Sequence, residues 1–488
     1  MSQRKLKVIA LSAGNGLAKV IQLLVVVIMA RVLLKEDLAA YRQTFLAYLA
    51  IGPILSLGVG QGMYYFLPSE TERVRGRVSD GVFALSAMGI LFGIFIGFGG
   101  NEILARGFSN PQVARMLLWM IPYAIVTIPA SATESVLVAR DRVLLASVFG
   151  VIRQLLVGFA TLIPLVFWQT ADAPLVGNVA ASVVMGLTGI GLMYGSVPSG
   201  DIRPNLSAVK ELLFFTVPIE AGGMLATLSN RLDQLIVSVL CSPDEFAVYV
   251  LGAMEIPLIG IVTGAITSVT LAEMRKSVVE GRHDDALQLF RSVGSKSSLI
   301  LLPIMFFLLI TSATCIEYLY TSEFRDSVIP FRIYLLLLPI RTVVFGSLLI
   351  SLGLNRFLFI TSMIGLILNA IFSSILVIYF DPWGAVVATV ATIYIWNVPI
   401  NIYQLSKNLN KKWWEILPLK EMGQITLHIL PITLTSLLIT YCVDNIHLEF
   451  GLIVAIFACF LLWYWNGRLY SATKVWQKLK RLNWGSAR

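Results

Sequence analysis

The 488-residue chain is 57% hydrophobic and only 13% charged, with a mean hydropathy of +0.81. A soluble domain carries roughly a quarter charged residues and about 45–50% apolar ones, so an ordinary globular enzyme and a disordered tail are both excluded. The formal charge of +9 lies between apolar runs, with no basic stripe interleaved by aromatics. That distribution fits cytoplasmic loops facing anionic lipid and not nucleic acid.

A bilayer core of about 30 Å takes roughly 20 apolar residues per helix. Fourteen such runs occur, at 8–34, 44–66, 81–98, 116–139, 143–168, 174–197, 212–240, 246–271, 298–319, 328–352, 357–380, 383–405, 424–443 and 448–465. The expectation is an all-α polytopic membrane protein. The first run is too long for the apolar stretch of a signal peptide. The longest connection, from Glu273 to Ser297, is charged and polar and reads as a loop. Cys241, Cys315, Cys442 and Cys459 lie in or beside apolar runs and form no CxxC pair, so neither a disulfide nor a metal is indicated.

A cytoplasmic N-terminus puts 26 Lys and Arg inside and seven outside, the latter being Arg31, Lys35, Arg42, Arg106, Arg115, Arg325 and Arg332. This asymmetry predicts that both termini are cytoplasmic.

An internal repeat is visible. Lys35-Glu-Asp-Leu-Ala-Ala-Tyr41 resembles Pro243-Asp-Glu-Phe-Ala-Val-Tyr249, Arg115 and Pro122 match Arg332 and Pro339, and Gly177–Ser182 resembles Gly384–Thr389. The three offsets are nearly constant, which predicts two six-span lobes of equal topology, 1–200 and 201–410, followed by two further spans and a basic tail in 411–488. Parallel repeats of this kind belong to secondary transporters, which handle substrate between their halves near the midplane.

An ionisable group deep in hydrocarbon costs at least about 2.5–3.5 kcal/mol, so it faces a cavity or a partner. Ser12, Asn15, Lys19 and Gln22 share one helical face of the first span, and Lys19 is expected about 18 Å from Lys7, near the midplane. The seventh span carries a second stripe of Thr216, Glu220, Gly223, Thr227, Arg231, Gln234 and Ser238. Two such stripes at matching places predict two walls of one central cavity. Arg231 and Asp233 fall near the outer end, as a gate or as snorkelling groups. Arg153, Glu255 and Arg341 are also deep; each fits a cavity or a structural ion pair, and Glu134 reads as interfacial. Asn369, Asn397 and Asn401 read first as interhelical hydrogen bonds. The Gly/Pro cluster of the second span, which includes Gln61, permits both close packing and bending. No HExxH, GxSxG, Walker A or paired-carboxylate motif occurs, so no enzyme is expected.

Fourteen spans in a 6+6+2 order, with Asn230-Arg-Leu-Asp-Gln-Leu-Ile236, Phe246-Ala-Val-Tyr249, Leu302-Pro303, Gly353-Leu-Asn-Arg356 and Trp383-Gly-Ala385, resemble the Wzx-type oligosaccharide flippases of the multidrug/oligosaccharidyl-lipid/polysaccharide exporter superfamily. The likeness covers about residues 5–405. Lipid II flippases share the plan, but the first span here lacks an arginine–acid pair like theirs.

The resemblance implies a two-lobed carrier of the bacterial inner membrane. It would move an undecaprenyl-diphosphate-linked repeat unit of O-antigen, capsule or exopolysaccharide to the periplasmic leaflet by alternating access. Lys19, Arg341 and Arg153 would then face the diphosphate, and Asn15, Gln22, Gln61 and Asn230 the sugar hydroxyls. Glu220 and Glu255 would be proton or sodium coupling sites, with no other cofactor. Partners would be the lipid-linked glycan, membrane lipids and other polysaccharide-assembly proteins. A multidrug exporter of the same superfamily and a membrane polysaccharide polymerase or ligase are the alternatives.

Overall fold

The computed structural model describes residues 20–254, 270–443, 447–462 and 464, and the described residues contain helices and no strand. Among them nine helices are long and apolar enough to cross a membrane, or eleven when two bent pairs each count as one span. Two shorter apolar helices, Val20–Val32 (α1) and His447–Leu462, accompany them. The predicted run 246–271 straddles residues outside the described set, so the described residues do not give the full fourteen.

Span boundaries follow capping chemistry. The second span begins at Lys35, earlier than the hydropathy edge at 44, and runs as α2 (Lys35–Ser56) and α3 (Val59–Phe66). Between them Leu57 and Gly58 both adopt left-handed φ, of 50° and 67°, and one turn earlier the segments Lys35–Gly52 and Ile54–Phe66 are bent by 48° from each other. α4 (Val74–Gly107) and α5 (Pro111–Ala139) follow. Asn110 caps α5 by accepting from the Gln112 N–H, with Pro111 at the first helical position. α6 (Val143–Val166) and α7 (Asp172–Gly195) come next.

The seventh span is also broken, into α8 (Leu206–Ser229) and α9 (Leu232–Leu240). Asn205 caps α8 by accepting from Ser207 and Ala208. α10 (Pro243–Gly252) opens on a complete capping box between Ser242 and Glu245.

The charged stretch 273–297, expected as a loop, is largely helical. Residues 270–279 form α11, Gly281 turns the chain at φ 74°, and α12 (His283–Leu319) runs 37 residues. At about 1.5 Å per residue α12 is roughly 55 Å long, more than a bilayer core needs. Charge therefore marks where this helix leaves lipid, not where it ends. The remaining helices are α13 (Ser322–Leu335), α14 (Leu338–Ser351), α15 (Asn355–Phe380), α16 (Pro382–Leu409) and α17 (Leu419–Cys442).

Two sets of contacts join the first-half helices to the later ones. At the end predicted to be external, Arg31 donates to the carbonyls of Leu319, at 3.0 Å, and Tyr318. Gln43, fully buried, donates to Ser238 Oγ at 3.1 Å and accepts from Asn110 at 2.8 Å. At the opposite end Arg73 pairs with buried Asp80 at 3.2 Å, and Asp80 also accepts from the Asn205 N–H at 2.7 Å. Arg77 bridges to Glu211 at 2.7 Å and lies over the Phe66 ring. Tyr65 stacks on Phe215 with centroids 4.4 Å apart. Each lock satisfies polar groups that would otherwise cost about 1–3 kcal/mol when buried.

Candidate functional site

Between α1 and α2 on one side and α8, α9, α10 and α13–α16 on the other lies a cavity of about 1030 Å³. Sites for drug-sized ligands run to roughly 300–1,000 Å³, so this one lies at the upper end of that range. Three arginines line it: Arg42 of α2, Arg231 in the turn between α8 and α9, and Arg341 of α14. Arg42 and Arg231 are close enough for their charges to repel.

The acid lining the cavity, Asp233, is 3% exposed and is committed to the wall. It accepts from Tyr249 Oη at 2.8 Å, Tyr334 Oη at 3.2 Å and the Gln234 N–H at 2.8 Å. Those three donors come from α9, α10 and α13, so the carboxylate ties three helices together. Arg231 donates to Gln234 at 3.2 Å, which orients its guanidinium along the wall. The three donors to Asp233 all belong to helices of the cavity wall.

Among the described residues, the rest of the polar lining is neutral. Gln22, Thr227, Asn230 and Gln234 lie on the α1, α8 and α9 walls, and Asn355, Ser362, Asn369, Thr389, Thr392 and Asn397 on α15 and α16. Asn369 accepts from Ser373 at 2.9 Å and Thr389 at 3.4 Å, consistent with the interhelical bonding expected of it. Asn397 instead reaches the cavity, at the end of a π-helical turn, Ile393–Asn397. Such turns recur at functional sites.

The predicted residues divide as follows. Gln22, Asn230 and Arg341 line the cavity, as do the gate candidates Arg231 and Asp233. Lys19, Asn15 and Glu255 lie outside the described residues. Gln61 is exposed on α3 and does not line this cavity. Arg153 does not line it either; it pairs with Glu134 at 2.9 Å, across the contact of α5 with α6. The ion-pair alternative for Arg153 is the one the geometry shows, and Glu134 is its partner.

Glu220 is absent from the cavity wall and sits against the break in the second span. It accepts from Ser56 Oγ at 3.2 Å, and its Cβ would lie 2.9 Å from a Cβ added at Gly58. The seventh-span stripe therefore splits. Thr216 packs on Gly62, Glu220 meets the α2–α3 break, Thr227 to Gln234 line the cavity, and Ser238 receives Gln43.

Arg42 is not among the residues expected at the site, because hydropathy sets the edge of the second span at 44 and leaves Arg42 in an outer loop. The repeat contained the signal: the match of Lys35–Tyr41 with Pro243–Tyr249 marks two helix starts, which puts Arg42 about 10 Å along α2. Among the described residues no group of three His, Cys, Asp or Glu could hold a metal ion.

Residues 18–329, more than half of the chain, match the family model described as polysaccharide biosynthesis protein. The chain belongs to that family. Its fold is similar to that of a lipid II flippase, MurJ, in an inward closed conformation, at TM-score 0.72 and 15% identity, covering 94% of this chain and 100% of the other. It is similar to a MATE-family multidrug resistance transporter in an inward-facing conformation, at TM-score 0.63 and 16% identity, covering 80% and 94%. A third likeness, at TM-score 0.59 and 15% identity over 83% and 96%, is to a transporter of the same superfamily from Pyrococcus furiosus with reversed binding-pocket polarity. No curated protein matches the sequence significantly. At these identities the solved structures establish the fold, a multi-pass helical membrane fold shared with flippases and transporters.

Proposed function

We propose that the protein carries an undecaprenyl-diphosphate-linked oligosaccharide from the cytoplasmic to the periplasmic leaflet of a bacterial inner membrane by alternating access. The observation that carries this reading is the cavity lined by Arg42, Arg231 and Arg341 with a neutral amide and hydroxyl lining. Guanidiniums make strong charge-assisted bonds to phosphate, and they offset the hydration a diphosphate loses on leaving water. The isoprenoid tail needs no protein path, because it stays in lipid. An exporter of cationic drugs would have to overcome the same three positive charges, so the superfamily's multidrug branch is the weaker reading.

Moving negative charge outward across an inside-negative membrane is favoured by about 2.3 kcal/mol per charge per 100 mV. Potential thus gives the step its direction. Glu220, where α8 meets the break between α2 and α3, would link an ion-binding step to movement of the second span at that break. The Arg31 and Gln43 contacts close the outer end, and they are the ones alternating access has to break. The locks at Arg73 and Arg77 hold the opposite end.

Complementation tests the reading. In the native host with this gene deleted, the wild-type gene should restore surface polysaccharide, and Arg42→Ala/Arg341→Ala at equal membrane abundance should not. Polysaccharide at wild-type level from the double variant would overturn the cationic-cavity reading.

A further inference from the structure

We infer that the cavity reads its cargo in two separate zones, with the diphosphate at the outer end on Arg42 and Arg231 and the sugars against the facing surfaces of α15 and α16. The inference rests on the carrier reading above and adds to it where each part of the head group sits. It also gives the order of travel, diphosphate leading.

The zoning follows from where each side chain enters the cavity. Arg42 is seven residues from the start of α2 and Arg231 nine from the end of α9, each about 10–14 Å from the outer end. Asn355 opens α15 at the opposite end, and Ser362 follows two turns later. From α16, Asn397, about 22 Å from the outer end of that helix, completes the same surface, and Thr392 lies above it on the same helix at about the depth of the arginines. Asn397 Oδ1 would be only 2.7 Å from a Cβ at Gly365, so the glycine lets the amide lie flush between the two helices. Thr392 is 3% exposed and its Oγ1 has no partner. A helical threonine ordinarily returns its hydroxyl to a carbonyl one turn back, and that of Thr392 makes no such bond.

The two zones differ in hydrogen-bonding grammar. A guanidinium only donates and a phosphate oxygen only accepts, and their opposite charges strengthen the bonds between them. Amides and hydroxyls both donate and accept, as sugar hydroxyls do. The α15–α16 surface carries Asn355, Ser362, Thr392 and Asn397 and no charged group. A neutral surface of mixed donors and acceptors is poor at holding a diphosphate and well suited to a glycan. Asn355 and Asn397 are accordingly the positions at which glycan identity is read.

The test separates the zones with one probe and one cellular readout. Farnesyl diphosphate, which has the diphosphate and no sugar, is titrated onto the full chain in nanodiscs, and surface polysaccharide is measured in the deleted host. Asn355→Ala/Asn397→Ala should bind farnesyl diphosphate within about twofold of wild type and lower export at least tenfold. Arg42→Ala/Arg231→Ala should lower farnesyl diphosphate affinity at least tenfold. Wild-type export by the asparagine variant would overturn the inference, and so would a loss of farnesyl diphosphate affinity equal to that of the arginine variant. Failure of the wild-type protein itself to bind the probe and to restore export would instead sink the carrier reading.

Discussion

Gly58 is a residue at which the fold tolerates no side chain, and Gly58→Ala is the perturbation that shows it at the break of the second span. Its φ of 67° is left-handed, which costs a residue with a Cβ about 1–2 kcal/mol. The new Cβ would lie 2.8 Å from the Thr216 carbonyl oxygen and 2.9 Å from Glu220 Cβ. Neither is the far end of a flexible chain, so α8 must retreat from the break, at a further cost of about 1–3 kcal/mol for overpacking. The total is about 2–5 kcal/mol. At about 2 °C per kcal/mol, the low end for larger domains, the melting temperature of the detergent-purified full chain should fall by roughly 4–10 °C. Gly52→Ala, six residues away in the same span, supplies the control. A Cβ there meets nothing within 4 Å, and replacing a helical glycine by alanine gains about 0.5–1 kcal/mol. Were the two variants to melt together, the close approach of the second and seventh spans at the break would be refuted.

Four further outcomes follow from the same geometry. Tyr334→Phe removes one of three donors to Asp233 and should cost about 1–3 kcal/mol, read as a lower melting temperature, with Tyr249→Phe equal or worse because its bond is shorter. Arg153→Ala leaves the Glu134 carboxylate without its partner inside the spans; it should cost about 1–3 kcal/mol, read as a lower melting temperature, and leave export at equal membrane abundance near wild type in the deleted host. Arg231→Ala removes charge-assisted bonds worth about 1.5–3 kcal/mol and should weaken farnesyl diphosphate binding by roughly 10–150-fold. The Arg282 guanidinium holds the Glu280 carboxyl below its ordinary value of 4.5. The contribution of that pair is present above pH 4.5 and disappears as the pH falls through the lowered value. Hydrogen exchange at 278–286 should therefore rise only in acid, and Glu280→Gln should remove the rise.

Much of the fold was legible because lipid imposes a simple rule: a helix that crosses must be apolar for about 20 residues. Every described apolar run became a helix. The same rule misled at the edges. Lys35, Glu36 and Asp37 read as loop yet begin α2, and residues 283–297 read as loop yet extend α12, because charge ends a hydrophobic run without ending a helix. At the site, the spacing of the seventh-span stripe pointed to Thr227, Arg231 and Gln234. It could not show that Glu220, on the same stripe, meets Ser56 and not the cavity. The partnership of Arg153 with Glu134 is a matter of how α5 meets α6, which spacing along one helix does not encode. Asn355 and Ser362 gave no signal, since single small polar residues in an apolar helix are common. Only the position of α15 opposite α16 makes them a surface.

Translocation in vesicles is the most direct test of the carrier reading. Purified protein is reconstituted with undecaprenyl-diphosphate-linked glycan extracted from the native host, and appearance of the sugar on the far leaflet is followed with an impermeant glycosidase under an imposed potential. The cavity predicts appearance faster than in protein-free vesicles, quickened by a potential negative on the donor side and slowed at least tenfold by Arg42→Ala/Arg231→Ala. Appearance no faster than in protein-free vesicles, with transport of a cationic dye in its place, would contradict it.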